Sequence, residues 1–175
     1  EPITEPMQPD KRVCFCNGIM NTFSEAVESA KHISRLAGNC MVNGTHNTTH
    51  GIINDLIECF FGLNFFRGTS PSKLIQQEWD DFFAKNGPDA VLLQYCHSQG
   101  AIHVRNALID YPEELRKRII VVAIAPAAYI SPDICREVHH YVSSRDFVPY
   151  FDVRGRAECK DTIHYLKADK NAGIW

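Results

Sequence analysis

The sequence predicts an α/β fold in which a mostly parallel sheet of about five to six strands carries helices on both faces. Strand-like and helix-like segments alternate along the chain, which is the order that strand-helix-strand units produce. Arg118 to Ala125 is an aliphatic run typical of a strand buried on both faces of a parallel sheet. A helix-start signal of capping-box form, Thr22 to Glu25, stands between the first two strand candidates.

The first part of the chain predicts a strand, a helix and a short second strand. Residues 1–11 are polar and rich in proline, so we expect an extended or disordered lead-in. The apolar run at residues 12–16 ends at a turn and predicts the first strand. Apolar residues recur at helical spacing over residues 22–37, and residues 40–42 predict the second strand.

A polar loop at residues 43–51 precedes two further predicted helices. The spacing of apolar residues predicts that one helix starts at Ile52. Ser70 is a good N-cap and Pro71 suits the first helical position, so another helix is expected from Ser70 to about Lys85.

The remaining sequence continues the alternation. Residues 90–95 predict a strand and residues 99–110 a helix. Three more strands are predicted at residues 118–125, 138–143 and 162–167. The α/β class follows from this order rather than from any single element.

Size and charge exclude several classes of protein. The chain has 175 residues, so we expect one domain over residues 12–175. Hydrophobic residues make up 45% and charged residues 22%, which argues against wholesale disorder. A net charge of −3 gives no basic field for nucleic acid. No apolar stretch is long enough to form a transmembrane segment.

Cysteine usage predicts a reducing compartment. Seven cysteines are present, an odd number, and no Cys-x-x-Cys pair occurs. Six of them lie in or beside apolar segments, namely Cys14, Cys16, Cys40, Cys59, Cys96 and Cys135. We therefore expect buried free thiols in a cytoplasmic or otherwise reducing location and not a disulfide framework.

The candidate chemistry lies where the strand at residues 90–95 meets the helix at residues 99–110. The connecting sequence is Cys96-His97-Ser98-Gln99-Gly100. It resembles the nucleophile elbow of α/β-hydrolases, Gly-x-Ser-x-Gly, in which a sharp turn exposes the serine. Ser98 is then the nucleophile. Cys96, a small residue, stands where the usual motif has its first glycine.

The resemblance implies an acid and a base later in the chain. Asp146 follows the strand at residues 138–143 and matches the acid that orients a catalytic histidine. A surface aspartate that caps the turn before Pro149 is the alternative.

The base has several candidates. It is expected beyond the last strand, but His164 lies inside that strand. His164 is the first candidate, and His139 or His140 is the second. A base beyond Trp175 is the third possibility. His97 is disfavoured because adjacent side chains on a sharp turn usually point apart.

Two backbone N–H groups are expected to form the oxyanion hole. The resemblance assigns one to Gln99, the residue after the nucleophile. The other would come from the loop after the first strand, at Gly18, Ile19 or Met20. A glycine needed only for the turn explains Gly18 equally well.

A wider resemblance rests on four segments taken together. They read Cys-Asn-Gly-Ile-Met-Asn-Thr, Asn-Gly-Thr-His-Asn-Thr-Thr-His-Gly, Cys-His-Ser-Gln-Gly and Arg-Asp-Phe-Val-Pro. The chain resembles a family of uncharacterised chlamydial proteins with an α/β-hydrolase-like core. This implies a bacterial protein delivered to host cytosol, with the domain truncated at both ends, and it implies no particular activity.

Metal and nucleotide sites are not expected, so no cofactor is predicted. His46 and His50 are four residues apart, but they lie in a loop where that spacing does not align them on one face. No third ligand is spaced to join them. Gly18 and Gly44 stand alone, so no glycine-rich phosphate loop is present.

The segment from Phe60 to Phe66 is the densest aromatic cluster in the sequence. It would suit a lid or an acyl-chain groove in a lipase-like enzyme, or a surface for a protein partner. Packing of a helix into the core is the commoner explanation.

Three functions remain. The first is a serine hydrolase of esters or thioesters, lipase- or esterase-like, with a small-molecule or lipid-like acyl substrate. The second is a catalytically inactive hydrolase fold that acts as a binding or host-interaction module. The third uses Cys96 as a nucleophile, and it is disfavoured because the tight-turn position points away from the cleft.

Overall fold

Six parallel strands form one sheet in the computed structural model, within the residues that it describes, 12–18, 22–45 and 70–168. In chain order they are β1 (Val13–Cys16), β2 (Val42–Thr45), β3 (Leu92–His97), β4 (Ile119–Ile124), β5 (Glu137–Ser143) and β6 (Ile163–Leu166). Their order across the sheet is β2-β1-β3-β4-β5-β6, and every neighbouring pair is parallel. The predicted α/β fold is confirmed.

Helices connect these strands. Those in the described ranges are α1 (Phe23–Leu36), α2 (Ser70–Lys85), α3 (Gly100–Ile109), α4 (Glu113–Arg116) and α5 (Val153–Glu158). Single 3-10 turns occur at Pro132–Ile134, Val148–Tyr150 and Lys160–Thr162. None of the helices in this part of the chain is long and apolar enough to cross a membrane.

Helices cover both faces of the sheet. On one face α2 and α3 pack over β1, β3 and β4, where Trp79 and Phe82 are buried in the main core. The Trp79 Nε1–H donates a 2.9 Å hydrogen bond to the buried Gln94 Oε1 of β3. On the other face Ile33 of α1 packs against Val13 and Phe15 of β1. This two-sided burial is what an aliphatic parallel strand requires.

The start of α1 follows the capping prediction. Thr22 is the N-cap, and its Oγ1 accepts a 3.2 Å hydrogen bond from the Glu25 N–H. The Glu25 carboxylate accepts a 2.7 Å bond from the Thr22 N–H in return. The capping box satisfies two N–H groups that the first turn would otherwise leave unpaired.

The order in which the strands are added to the sheet changes direction at β1. β2 lies on one side of β1, and β3 lies on the other. Parallel sheets bind ligands in the crevice beside the carboxyl ends of the strands at such a switch point. The carboxyl ends of β1 and β3 therefore frame the candidate site.

Some boundaries and elements differ from the sequence-based predictions; the strand predicted at residues 90–95, for example, is Leu92–His97. The second strand was predicted at residues 40–42 but runs over Val42–Thr45, because pairing of Val42 with Val13 sets the register and continues through Gly44. Helix α3 begins at Gly100, since Ser98 and Gln99 form the turn. The short helices α4 and α5 lie in segments that the sequence pattern left as connections.

Some predictions lie outside the described residues. They are the lead-in at residues 1–11, the loop from residue 46 onward, the helix expected from Ile52, and the aromatic segment from Phe60 to Phe66.

Candidate active site

Ser98 occupies a sharp turn between β3 and α3. Its φ angle is +52°, in the left-handed region that a non-glycine residue adopts at a cost of about 1–3 kcal/mol. The strand ends at His97 and the helix starts at Gly100, so two residues make the whole connection. The elbow motif requires a strand, a serine in a strained turn and a helix in this order, and the structure has all three.

Two glycines allow the backbone to close around this turn. A Cβ on Gly100 would lie 2.5 Å from the Cys16 carbonyl oxygen and 2.8 Å from that of Asn17. A Cβ on Gly18 would lie 2.7 Å from the Ser98 Cβ. The glycine two residues after the serine is thus required by the close approach of β1.

Hydrogen bonds fix the backbone of Ser98. Its N–H donates to the Ile124 carbonyl at the end of β4, at 3.1 Å. Its own carbonyl accepts from the N–H groups of Ala101 and Ala127, at 3.1 and 3.0 Å. The turn is therefore tied to the carboxyl end of β4, which holds the strained φ in place.

Cys96 fills the position of the first glycine of the motif without disturbing the sheet. Its register neighbours are Cys16 on β1 and Ala123 on β4, both small, and Cys96 is fully buried. Burial raises the pKa of its thiol well above the ordinary value, and nearby Cys16 adds to this. A buried neutral thiol is unsuited to nucleophilic attack, which argues against the cysteine-dependent alternative.

The two sides of the predicted oxyanion hole meet at this turn. Gln99 lies in it directly after Ser98, and Gly18 follows β1 and approaches the Ser98 side chain. Asn17 is buried, and its Nδ2 donates a 2.8 Å hydrogen bond to the Gly18 carbonyl, which shapes the loop. Ile19 and Met20 lie outside the described residues.

Asp146 lies in the loop directly after β5. It is buried, although an aspartate that only caps a surface turn would be exposed. Its Oδ1 accepts a 3.0 Å hydrogen bond from the Val148 N–H, and its own N–H donates to the Ser143 carbonyl. The turn-capping bond of the alternative interpretation is therefore present, in a buried setting.

His97 is close enough to Asp146 for the carboxylate charge to act on its pKa, which the sequence reasoning missed. Burial lowers the pKa of His97, and the Asp146 charge acts in the opposite direction. The His97 Nδ1 also lies 3.1 Å from the point that a Cβ on Gly18 would occupy. The side chain therefore lines the same crevice as Ser98. In the sequence, only its position directly before the serine could have indicated this.

His164 is not brought to the serine. In the sheet register, His164 on β6 pairs with Tyr141 on β5, and Tyr141 pairs with Ile124 on β4. Ile124 in turn pairs with His97 on β3. Three strand spacings of about 4.8 Å place the Cα atoms of His164 and His97 roughly 14 Å apart. A hydrogen bond from the His164 imidazole to Ser98 is excluded in this arrangement.

Each of the other two strand histidines has partners of its own. The His139 Nδ1 lies 3.0 Å from the His164 Nε2, and its Nε2 lies 2.7 Å from the Glu137 carboxylate. His140 faces the opposite side of β5 and is fully buried. Its Nε2 accepts from the Ile130 N–H at 3.1 Å, so protonation there would break a buried hydrogen bond.

The Ser98 hydroxyl itself forms no hydrogen bond with any described residue. Within the same residues no group of three His, Cys, Asp or Glu side chains could hold a metal ion. The six described cysteines are all buried and free, while Cys59 lies outside this part of the chain.

An apolar cavity of about 440 Å³ opens beside the candidate site. It lies between α1 and the ends of β1 and β2 and reaches Asn17, the neighbour of Gly18. Its apolar wall includes Phe15, Phe23, Ala26, Val27 and Ala30. A cavity of this size is within the range of small-molecule sites in proteins.

Comparison with known proteins identifies the family and supports the fold. The family model described as "Protein of unknown function (DUF687)" matches residues 1–167. No curated protein matches the sequence significantly. The crystal structure of LpqC, a poly(3-hydroxybutyrate) depolymerase from Bordetella parapertussis, is similar with a TM-score of 0.57 and 11% identity. The match covers 96% of this chain and 76% of that one.

A second solved structure is more distant. The Francisella virulence factor BioJ matches with a TM-score of 0.49 and 10% identity, over 91% of this chain and 67% of that one. The LpqC match, at 11% identity, supports the α/β-hydrolase-like fold alone.

Proposed function

Because the chain belongs to the DUF687 family of proteins of unknown function and has an α/β-hydrolase-like fold, we propose that it is a serine hydrolase of esters or thioesters. Ser98 is the nucleophile in this proposal. The observation that carries it is the +52° φ angle of Ser98 in a two-residue turn between a parallel strand and a helix. A strained residue held by its surroundings at the edge of a sheet is typical of a functional position.

The proposed reaction is acyl transfer through a covalent intermediate. The Ser98 Oγ attacks the acyl carbon while its proton passes to a base, and the alcohol or thiol leaves with that proton. Water then attacks the acyl-enzyme and releases the carboxylic acid, which restores the serine. No metal or organic cofactor takes part in these steps.

The oxyanion of each tetrahedral intermediate would be bound by backbone N–H groups. Gln99 supplies one from the turn, and the loop at Gly18 supplies the other. The crowding of Gly18 against Ser98 supports this, because donors must lie about 3 Å from the oxyanion. Removal of one such donor typically costs about 100- to 1,000-fold in rate.

The acyl group would enter the cavity between α1 and the ends of β1 and β2. The apolar wall of that cavity, which includes Phe15 and Ala30, favours a hydrocarbon chain. Its volume of about 440 Å³ favours a short or medium chain over a long one. A small or lipid-like acyl substrate fits this site better than a charged one.

Asp146 is the proposed acid of the site. It is buried, lies at the carboxyl edge of the sheet and influences the pKa of His97. We do not assign the base to His164, since its own strand position holds it roughly 14 Å from His97. His97 is the described histidine whose pKa is influenced by Asp146 and whose Nδ1 lies beside Gly18, near Ser98.

Hydrolysis of p-nitrophenyl butyrate tests the proposal directly. The Ser98→Ala variant should lose at least about 1,000-fold in kcat/KM, because no other group can form the acyl-enzyme. Ser24→Ala is the matched control, since Ser24 is exposed on α1 and should leave the rate unchanged. Equal rates in Ser98→Ala and the parent protein would contradict the proposal.

A catalytically inactive binding module is the second candidate. The observation that favours it is that the Ser98 hydroxyl forms no hydrogen bond to a base among the described residues. In that case the Ser98→Ala variant and the parent should both fail to hydrolyse the ester, although both fold. The aromatic segment from Phe60 to Phe66 remains the proposed surface for a protein partner.

A further inference from the structure

The cavity beside α1 is a groove that runs along the helix. The residues on its helix side recur every three or four positions, so they share one face of α1. They are Phe23, Ala26, Val27, Ala30, Lys31 and Ser34. Its sheet side is formed by residues of β1 and β2 and by the two residues before β2. The groove therefore follows the length of β2.

One end of the groove lies at the candidate active site. Thr45, the last residue of β2, and Asn17, which directly follows β1, line this end. Asn17 precedes Gly18, where an added Cβ would lie 2.7 Å from the Ser98 Cβ. A ligand that enters here passes the proposed nucleophile first.

The polar groups at the other end are already paired. The Ser34 Oγ donates a 2.7 Å hydrogen bond to the Cys40 carbonyl, and the Cys40 Sγ donates to the Ala37 carbonyl at 2.9 Å. The Lys31 Nζ lies 2.7 Å from the Glu28 carboxylate, and both side chains are exposed. This end therefore favours the apolar terminus of a ligand over a charged one.

Small residues leave the groove open between its two ends. Gly44 lies on the same face of β2 as Val42, which packs against the core beneath α1. A Cβ on Gly44 would have no atom within 4 Å. Ala26 and Ala30 face this space from the helix side. The groove thus exists because larger side chains are missing from both of its walls.

The length of the groove limits the ligand. Met41 and Thr45 both line it, and four residue steps along a strand of about 3.3 Å each give roughly 13 Å. Carbon–carbon bonds of about 1.5 Å advance an extended chain by roughly 1.3 Å per carbon. We propose that the groove binds a straight acyl chain of about eight to ten carbons, with its methyl end beside Cys40.

This inference rests on the proposed function for one feature only, the position of the carboxyl end at Ser98. The length and the direction of the bound chain follow from the groove itself. Binding of a free fatty acid therefore tests the groove without requiring that the protein be a hydrolase.

Titration of the full chain with hexanoate, decanoate and dodecanoate by isothermal calorimetry tests the length limit. Each buried CH₂ group raises affinity about three- to fourfold. Decanoate should therefore bind at least about tenfold more tightly than hexanoate. Dodecanoate should bind within about threefold of decanoate, because its last carbons find no further room in the groove.

Ala30→Leu should shorten the groove. Ala30 lies seven residues after Phe23, roughly 10 Å along α1, so the added carbons reach only a long chain. We expect decanoate affinity to fall at least about tenfold and hexanoate affinity to stay within about threefold. Ala84→Leu is the matched control, since Ala84 is exposed on α2 and does not line the groove.

Gly44→Val narrows the groove from the sheet side. Valine suits a strand, so this variant should fold as the parent does. Its side chain would occupy the space that Gly44 leaves empty, and decanoate affinity should fall at least about tenfold. The two variants test opposite walls of the same groove.

Hydrolysis of p-nitrophenyl hexanoate and decanoate separates this inference from the proposed function. Decanoate binding that both variants weaken, without hydrolysis of either ester, would support the groove and contradict the hydrolase. Hydrolysis with equal kcat/KM for the two esters, together with equal affinity for hexanoate and decanoate, would overturn the groove and leave the hydrolase. Decanoate affinity that is the same in Ala30→Leu, Gly44→Val and the parent would also overturn it.

Discussion

The carboxyl end of β3 and the edge formed by β5 and β6 hold the predicted nucleophile, Ser98, and the predicted base, His164, and they are built differently. At β3, Ser98 has a φ of +52° and Gly100 sits against the Cys16 carbonyl. At the β5–β6 edge, His164 is exposed within a regular strand and stacks on Tyr141 with ring centroids 4.9 Å apart. The first region holds a residue in a costly conformation, and the second does not.

This difference separates positions constrained by the fold from positions that only share a residue type with a catalytic site. A strained backbone persists only where neighbouring structure holds it. Ser98 is held by β4 and by two glycines, so its geometry depends on several elements at once. His164 bonds to His139 and would leave the fold intact if it were replaced.

The largest expected effect tests how tightly the turn is packed. Gly100→Ala would place a Cβ 2.5 Å from the Cys16 carbonyl oxygen, a backbone atom that cannot move aside. We expect the free energy of unfolding in urea to fall by about 3 kcal/mol or more. Gly87→Ala is the control, since nothing lies within 4 Å of its added Cβ. Equal stability of the two variants would remove the argument for a constrained turn.

Acid unfolding tests the two buried histidines, His103 and His140. Burial lowers the pKa of His103 to about 4, and burial also lowers that of His140 to about 4. The unfolded chain binds protons near the ordinary value of 6.5, so stability is present above that pH and is lost as pH falls toward 4. Each of these histidines lowers the free energy of unfolding by up to about 3 kcal/mol as the pH falls from 6.5 to 4.

Urea unfolding at about pH 7, 5.5 and 4.5 measures this loss. His103→Leu should flatten the pH dependence, because leucine binds no proton when the chain unfolds. The His103 ring nitrogens have no hydrogen-bond partner among the described residues, so the substitution removes no hydrogen bond. Ser24→Ala, an exposed and non-titrating position on α1, should leave the slope unchanged. An unchanged slope in His103→Leu would show that another group controls acid stability.

A smaller effect probes the strain at Ser98. Ser98→Gly should be more stable than Ser98→Ala by about 1 kcal/mol, because glycine adopts a positive φ without steric cost. The same pair of variants at Ser24 in α1 should show the opposite order by about 1 kcal/mol. Thermal denaturation of the four proteins gives the comparison. Alanine more stable than glycine at position 98 would contradict a strained turn.

The smallest effect is expected at the edge itself. His164→Ala should change the free energy of unfolding by less than about 0.5 kcal/mol, since the side chain is exposed. It should also leave ester hydrolysis unchanged within about twofold, because the imidazole does not reach Ser98. A loss of activity with normal stability would restore His164 as the base.

The sequence predicted those features that depend on local pattern. Alternating segments predicted the parallel sheet, and the spacing of Ser98 and Gly100 predicted the turn because one glycine must accommodate the neighbouring strand. Cys96 in place of glycine was the uncertain part of the motif. Sheet register explains it, since Cys16 and Ala123 beside it are also small.

Features that depend on the relative placement of distant elements could not be predicted. The influence of Asp146 on the pKa of His97 depends on how the ends of β3 and β5 are placed in the sheet, which spacing along the chain does not encode. The groove beside α1 is similar, since its walls come from α1, β1 and β2. The prediction of His164 as the base rested only on the order of the triad residues along the chain.

The most direct test of the central claim, an activated serine at position 98, is labelling with a fluorophosphonate probe followed by intact mass and peptide mapping. An activated Ser98 Oγ displaces fluoride and forms a phosphonate ester, so one adduct should map to the peptide that contains Ser98. Labelling should vanish in Ser98→Ala and persist in Ser24→Ala and His164→Ala. Absence of any adduct on the parent protein, or an adduct that remains in Ser98→Ala, would contradict the claim.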